Sequence, residues 1–251
     1  MESSDYIFGI RAVIEAIEAG KEIDKIMVKK EISGENAEEL LALAREHRIY
    51  CQRVPVERIN RITRKNHQGV VAMLSAVSYA TVEVLVPQFY EEGRIPLLVV
   101  LDGITDVRNF GAIARTCECA GVDAIVIPER GSVSVGGDAI KTSAGALHYL
   151  PVCREHNLVE AVKYLKNSGY TVYGASEKSD FSYTSPDYTQ PTAIVMGAED
   201  VGISQTIERL CDRLVAIPQM GRIGSLNVSV ACGVMLYEVV RQRLAANLTV
   251  E

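Results

Sequence analysis

The distribution of hydrophobic and polar residues predicts alternating helices and strands along the chain. In the first eighty residues these elements are short, with apolar residues at helical spacing in some segments and Val/Ile-rich runs in others. We predict a helix over "FGIRAVIEAIEAG", a strand over "DKIMV", a helix over "ENAEELLALAREH", a strand over "IYCQRV", a short helix over "PVERINRIT" and a strand over "GVVAMLSAV". This pattern is typical of a small α/β domain over residues 1–78.

Residues 79–94 show no clear periodicity, and we predict a linker there. Longer apolar runs follow, which are typical of parallel strands buried on both faces. They are "IPLLVVLD", "DAIVIP", "LPV", "YTVYGAS", "TAIVMGAE" and "DRLVAIP", with helices predicted at about 109–120, 157–167, 204–210 and 227–246. The last helix is apolar on nearly every side, so we expect it to be buried in the domain or against another subunit. Residues 95–251 therefore form a predicted α/β domain with helices on both faces of a mostly parallel sheet.

The composition is that of a protein with a buried core, with 48% hydrophobic and 23% charged residues in 251. No segment reaches the roughly 18–20 apolar residues of a membrane span, and the N-terminus lacks a secretory signal, so we expect a cytoplasmic protein. The six cysteines form no CxxC pair and lie mostly in apolar segments. They predict buried free thiols, with neither a metal site nor disulfides.

The net charge is −6, but positive charge is concentrated in residues 45–67. Seven basic residues face two acidic ones there, which gives +5 for the segment and leaves −11 for the rest. The basic residues are Arg45, Arg48, Arg53, Arg58, Arg61, Arg64 and Lys65. Such a run is either a solvated face or a surface that contacts nucleic-acid phosphates.

Three loops that follow predicted strands carry unusual polar residues, and ligands of open α/β sheets bind at such loops. In the first loop, 101–121, Asn109 is placed to cap a helix and Gly111 leaves the first turn bare. Arg115 lies one turn after Gly111, so the loop is either an anion site or a helix cap beside a surface arginine. The second loop, 195–204, contains Gly197 and Glu199.

The third loop, 217–229, places polar residues between an apolar strand and an apolar helix. Either Ser225 or Asn227 is predicted to cap that helix, but capping does not account for every polar side chain. The glycines and polar residues of this loop are Gly221, Gly224, Ser225, Asn227 and Ser229. Neither GxGxxG nor GxxxxGK[ST] occurs in the sequence, which excludes the common dinucleotide and P-loop phosphate sites.

Together the three loops resemble the three motifs of the SpoU/TrmH family, RNA ribose 2′-O-methyltransferases of the SPOUT class. "LDGITDVRNFGAIARTCECAG", "IVMGAEDVGIS" and "IPQMGRIGSLNVSVACGVMLYE" are similar to motifs 1, 2 and 3. The N-terminal unit, with "NHQGVVA" at 66–72, resembles the L30e-like RNA-binding domain that precedes the catalytic domain in one branch. Val107 departs from the family, which usually has proline there.

The resemblance implies a trefoil-knotted catalytic domain that binds S-adenosyl-L-methionine and forms a homodimer. By motif position it implies cofactor binding by Met196, Gly197, Ile217, Gly221 and Leu226. It implies catalytic roles for Asn109, Arg115, Glu199, Ser225 and Asn227, with Glu199 holding Arg115, and RNA binding by Arg58, Arg61, Arg64, Lys65 and Lys141. Since arginine stays protonated at pH 7, a charge clamp suits Arg115 better than a general base.

The domain combination further implies methylation of a guanosine in large-subunit (23S) ribosomal RNA. Three other functions stay open: a transfer-RNA ribose methyltransferase, a non-catalytic RNA-binding or ribosome-assembly factor on the same scaffold, and a nucleotide-dependent oxidoreductase. The last follows from the sheet pattern alone and lacks the glycine fingerprint.

Overall fold

The computed structural model describes residues 6–47 and 49–246, which form two compact units. The first unit comprises Met1–Ser78 with Ser134–Asp138, and the second comprises Tyr79–Val133 with Ala139–Glu251. Arg48 of the basic segment lies outside the described residues.

The first unit contains a mixed sheet covered by helices. Its elements are β1 (Tyr6–Phe8), α1 (Ile10–Glu18), β2 (Ile23–Lys29), α2 (Glu35–Glu46), β3 (Cys51–Val54), α3 (Val56–Asn60) and β4 (Val70–Leu74). The strand order is β1-β4-β2-β3, in which β2 and β3 are parallel and the other neighbours antiparallel. The predicted elements are confirmed here, and β1 was not predicted.

The sheet of the first unit is buried on both faces, because alternate residues of its strands point to opposite sides. Ile26 and Val28 face α1 and α2, whose Val13, Ile17 and Leu40 complete that core. The opposite face is covered by a smaller cluster of Met27, Val54, Ile59 and Val71. The helical spacing of apolar residues in α1 and α2 therefore follows from their packing on this sheet.

The second unit contains a sheet whose seven strands, within the described residues, are all parallel. Its strands are β5 (Tyr79–Ala80), β6 (Leu97–Asp102), β7 (Ala124–Pro128), β8 (Val152–Glu155), β9 (Thr171–Ala175), β10 (Thr192–Gly197) and β11 (Arg213–Val215). Its helices are α4 (Val82–Glu91), α5 (Val107–Cys119), most of α6 (Gly137–Thr142), α7 (Leu158–Asn167), α8 (Gln205–Glu208) and α9 (Val228–Ala245), and the first two residues of α6 belong to the first unit. The predicted parallel sheet with helices is thus confirmed.

The strand order of this sheet is β11-β9-β10-β6-β7-β8-β5. From β6 the chain continues to β7 and β8 on one side and then returns to β9 and β10 on the other. The direction of winding therefore changes between β6 and β10, and ligands of α/β sheets bind outside the carboxyl ends of strands at such a point. The trefoil knot implied by the resemblance concerns the path of residues 216–227 and stays a prediction.

The predicted linker over residues 79–94 is wrong, because this segment is an integral part of the second unit. It forms β5, which pairs with β8, and α4, whose Val82, Val86 and Phe89 are buried in the core. These three residues are spaced as on one helix face, but Pro87 inside the helix obscured the pattern.

The C-terminal helix α9 is anchored by the guanidinium group of Arg243, which is almost completely buried. Arg243 donates hydrogen bonds to the carbonyls of Ile95, Pro96, Tyr188 and Gln190. Helix α9 also has an exposed apolar face, so its predicted burial against another subunit stays a prediction. Burial within this chain explains only one side of the helix.

Candidate active site at the carboxyl end of the parallel sheet

The loops after β9, β10 and β11 enclose a cavity at the carboxyl ends of the parallel strands, where the sequence predicted a ligand site. The cavity measures about 90 Å³. Residues that line the cavity come from three stretches of the chain. They are Ala175 to Glu177, then Met196 to Glu199 with Gly202, and then Val215, Ile217, Gln219, Ser225, Leu226, Val228 and Ala231. The cavity thus joins the second and third loops singled out in the sequence.

Gly197 lies where β10 approaches its own following loop most closely. A Cβ atom on Gly197 would lie 2.2 Å from the Gly202 carbonyl carbon and 2.2 Å from the Ile203 nitrogen. Ala198 and Gly202 exchange two backbone hydrogen bonds, of 3.1 and 2.8 Å, which close this loop. Glycine at 197 is therefore a steric requirement of the loop that forms one wall of the cavity.

The side chain of Asn227 connects all three loops. Its Nδ2 donates to Asn109 Oδ1 at 3.0 Å and also to Glu199 Oε1, which in addition accepts from the Val228 amide at 3.3 Å. Asn227 Oδ1 accepts from the Ser229 amide at 3.0 Å and so caps α9. One asparagine therefore fixes the start of α9 against the loops after β6 and β10.

The start of α5 differs from the prediction in two respects. Asp106, and not Asn109, caps the helix, since its Oδ1 accepts from the amides of Arg108 and Asn109 at 2.9 Å. Asn109 is consequently free to bond Asn227. Gly111 does not leave the first turn bare, because a Cβ atom there would lie 2.1 Å from Thr142 Oγ1. The glycine instead permits close packing of α5 against α6.

Arg115 is exposed on α5, and the predicted ion pair between Glu199 and Arg115 is absent from the described residues. Glu199 instead bonds to Asn227 and Val228. Thr116, the neighbour of Arg115, contacts α9 at Gly233. A Cβ atom on Gly233 would lie 3.5 Å from Thr116 Cγ2. Arg115 therefore lies beside the contact between α5 and α9.

Four of the five predicted cofactor residues line the cavity, namely Met196, Gly197, Ile217 and Leu226. Gly221 does not, because it lies on an exposed part of the loop with nothing within 4 Å of its Cβ position. Ser225 lines the cavity as well. Sequence reasoning missed Ala175, Ser176 and Glu177, although the position of β9 beside β10 in a parallel sheet brings its carboxyl end to the same edge.

The predicted RNA-binding residues of the first unit, Arg58, Arg61, Arg64 and Lys65, are all exposed. Lys65 also lies over the ring of Phe8, with its Nζ 5.6 Å from the centroid. In the second unit, Lys141 is exposed at the end of α6. All five cations are therefore accessible to a polyanion.

The cysteines of the described residues are free, but they are not uniformly buried. Cys117, Cys153 and Cys232 are buried, and Cys119 is exposed. Burial raises the pKa of the Cys153 thiol to about 12, which keeps it protonated and unreactive. Across the described ranges, no group of His, Cys, Asp and Glu side chains is arranged to hold a metal ion. Among the described helices, none is both long and apolar enough to cross a bilayer.

Comparison with known families assigns both parts of the chain. Residues 96–237 match the SpoU rRNA Methylase family, and residues 6–80 match the family described as RNA 2′-O ribose methyltransferase substrate binding. Two curated relatives are each called a putative TrmH family tRNA/rRNA methyltransferase. The one from Staphylococcus saprophyticus is 37% identical and the one from Staphylococcus aureus strain MSSA476 is 35% identical; the alignments cover 94% of this chain and 95% and 96% of the relatives.

Solved structures agree with this family. An AdoMet-bound rRNA methyltransferase from Sinorhizobium meliloti is 26% identical, with a TM-score of 0.60 over 94% of this chain and 86% of that one. The SpoU methyltransferase AviRb from Streptomyces viridochromogenes, in complex with AdoMet, is also 26% identical with a TM-score of 0.60, over 96% and 90%. Because the family models cover most of the chain and the side chain of Asn227 joins the three motif loops beside the cavity, this protein belongs to the SpoU/TrmH family of RNA ribose 2′-O-methyltransferases.

Proposed function

We propose that this protein transfers the methyl group of S-adenosyl-L-methionine to the ribose 2′-hydroxyl of a guanosine in large-subunit (23S) ribosomal RNA, the activity of the RlmB type of the family. The observation that carries the proposal is the convergence of Asn109, Glu199 and Asn227 beside the cavity formed by Gly197, Ile217 and Leu226.

The cavity suits S-adenosylmethionine in its chemistry. Its lining combines apolar residues, such as Met196 and Leu226, with the polar residues Glu177 and Ser225. When bound, the cofactor supplies an electrophilic methyl group on a sulfonium. The cavity of about 90 Å³ is smaller than the roughly 300–1,000 Å³ of typical ligand sites. We therefore expect the exposed residues 218–226 to move outward when the cofactor binds.

The reaction requires a ribose hydroxyl, a weak acid, to attack in line while negative charge develops on its oxygen. Asn109 and Asn227 are held together at 3.0 Å and can orient the ribose. Glu199 fixes Asn227 and the first turn of α9, and Ser225 adds a hydroxyl at the cavity wall. Arg115, exposed and permanently charged, supplies the clamp for a phosphate or for the developing oxyanion.

The basic residues of the first unit supply the charge that RNA binding requires. Arg58, Arg61, Arg64 and Lys65 are exposed there, and Lys141 is exposed in the second unit. Since each phosphate contact releases counterions, RNA affinity should fall steeply with salt. The first unit matches the family of substrate-binding domains, which supports RNA as the ligand of this surface.

Homodimer formation is also part of the proposal. Along α9, Val230, Tyr237 and Leu244 follow each other at intervals of seven residues and are 52%, 53% and 63% exposed. This spacing keeps all three on nearly one face of a helix, and such an apolar stripe is typical of helix pairing. Tyr237→Glu should therefore yield a monomer in sedimentation analysis, whereas Glu208→Gln, on the exposed surface of α8, should not.

Mapping of the methyl group tests the function. Purified protein is incubated with labelled S-adenosylmethionine and either unmodified 23S ribosomal RNA or unmodified transfer RNA, and the 2′-O-methyl position is mapped. Label on a 23S guanosine supports the proposal. Label only on transfer RNA would show that transfer RNA, and not ribosomal RNA, is the substrate. Retained biological function in Arg115→Ala without methylation would indicate the non-catalytic RNA-binding factor.

A further inference from the structure

A second cavity lies at the same edge of the parallel sheet, beyond the carboxyl ends of β6, β7 and β8. It measures about 490 Å³, within the usual range of ligand sites. Asp102, Arg130, His156 and Ser204 contribute polar groups to its wall, and Leu158 and Ile207 contribute apolar surface. None of these residues belongs to the cofactor cavity or to the proposed catalytic set.

The two cavities share a wall. Gly197, in the cofactor cavity, is the strand neighbour of Asp102, in the second cavity. Asp102 Oδ2 also accepts a hydrogen bond of 2.7 Å from the Ser204 amide, at the end of the loop that begins at Gly197. A ligand in the second cavity would therefore lie next to the site of methyl transfer.

His156 gives the second cavity an exposed but oriented ring. Its side chain is 83% exposed, while its Nδ1 is bonded at 2.5 Å to Oε2 of Glu129, whose side chain is only 14% exposed. The bond fixes one edge of the imidazole and leaves its face uncovered. Proteins that bind unpaired RNA stack the bases on aromatic faces of this kind.

The charges of the second cavity favour a base over a phosphate. Among the residues that line the cavity, Asp102 contributes one negative charge and Arg130 one positive charge, so the carboxylate and the guanidinium balance each other. The lining therefore has no excess of positive charge to attract a phosphate. Guanine offers N–H donors to a carboxylate on one edge and the acceptors O6 and N7 to an arginine on another.

We propose that the second cavity binds an unpaired guanine base of the RNA substrate, stacked on His156 and hydrogen-bonded at its edges by Asp102 and Arg130. The inference rests on the proposed RNA methyltransferase function and assigns it a base-recognition site. The base lies close to the target ribose, so its binding positions the RNA strand for methyl transfer.

Two variants of His156 separate stacking from other roles. His156→Ala should raise the KM for unmodified 23S ribosomal RNA about tenfold, as expected for the loss of one stacked base. His156→Phe, which keeps an aromatic face, should restore the KM to near that of the unmodified protein. His148→Ala changes another exposed histidine of the same unit and serves as the control. S-adenosylmethionine affinity, measured by calorimetry, should be unchanged in all three variants.

Guanosine 5′-monophosphate tests the ligand directly, without methylation. Calorimetric titration of the full-length protein should show tighter binding of this nucleotide than of the adenosine or cytidine monophosphate, and Arg130→Ala should remove the difference. Equal binding of the three nucleotides, or an unchanged RNA KM in His156→Ala, would overturn the inference. A wild-type protein that binds guanosine monophosphate but never methylates RNA would instead refute the proposed function.

Discussion

Substitution of Asn227 by alanine is the sharpest perturbation of the site, since this side chain holds the three motif loops together. The change removes the hydrogen bond to Asn109 and the bond to Glu199, and it removes the cap of α9 at the Ser229 amide. The backbone of the loop and the surrounding core stay as they are, because the Asn227 side chain is exposed.

The expected loss of stability is modest. Loss of a helix cap costs about 1 kcal/mol, and each side-chain hydrogen bond contributes on the order of 0.5–1.5 kcal/mol, less where the groups are exposed. The sum of about 2 kcal/mol lowers the melting temperature by roughly 4–8 °C. The effect on catalysis is larger, because a shift of about 1 Å in the catalytic groups costs on the order of a hundredfold in rate.

The assay compares Asn227→Ala with a variant of similar stability loss elsewhere in the same unit. Val86 is buried in α4, and Val86→Ala should cost about 2 kcal/mol through a core cavity. Melting curves of both variants are recorded, and transfer of labelled methyl groups to RNA is measured at 25 °C. We expect a kcat about a hundredfold lower in Asn227→Ala and nearly unchanged in Val86→Ala. Equal kcat values in the two variants would refute the role of Asn227.

Three further predictions concern other parts of the second unit. Gly197→Ala should abolish S-adenosylmethionine binding in calorimetry, because its Cβ would lie 2.2 Å from backbone, whereas Gly224→Ala, with nothing within 4 Å, should bind normally. Arg243→Met should lower the free energy of unfolding, measured in urea, by about 3 kcal/mol, because it leaves buried carbonyls unpaired. Arg241→Met, which changes an exposed arginine of the same helix, is the control, and an equal loss of stability in the two variants would contradict this prediction. Burial raises the pKa of Asp123 in the folded protein, so folding favours the protonated carboxyl. The protonated carboxyl therefore contributes fully to the free energy of unfolding below about pH 3.9, and this contribution is lost as the pH rises through the folded-state pKa. Relative to Asp123→Asn, the wild type should therefore lose stability from about pH 4 upward in urea unfolding, and a constant difference would refute this assignment.

Hydrophobic patterning predicted most of the fold because it reports burial directly. The strands of the second unit are buried on both faces, so β6, β7 and β10 appear in the sequence as unbroken apolar runs. Helix α4 was missed because its first turns are rich in valine, a residue typical of strands, and contain Pro87. In that segment tertiary packing outweighs local preference.

The candidate site was only partly predictable. Motif resemblance brought Asn109, Glu199 and Asn227 together, but local patterns did not reveal which groups they contact. The sequence predicted Asn109 as the cap of α5, whereas the structure has Asp106 in that role. Both residue types are favoured at helix caps and the two lie three residues apart, so the sequence alone did not distinguish them.

Other errors concern contacts between distant parts of the chain. Gly111 meets Thr142, which lies 31 residues further on in α6, and such contacts depend on the tertiary fold. The same is true of the second cavity, whose wall combines residues from Asp102 to Ile207. Neither contact has a signal in the spacing of nearby residues.

The function we propose is methylation of a ribose hydroxyl by groups from three converging loops. The most direct test is mass-spectrometric mapping of 23S ribosomal RNA after incubation with S-adenosylmethionine and either wild-type protein or Asn227→Ala. We expect a single 2′-O-methylguanosine with the wild type and almost none with the variant. A methyl group on a base, or equal 2′-O-methylation by the two proteins, would contradict it.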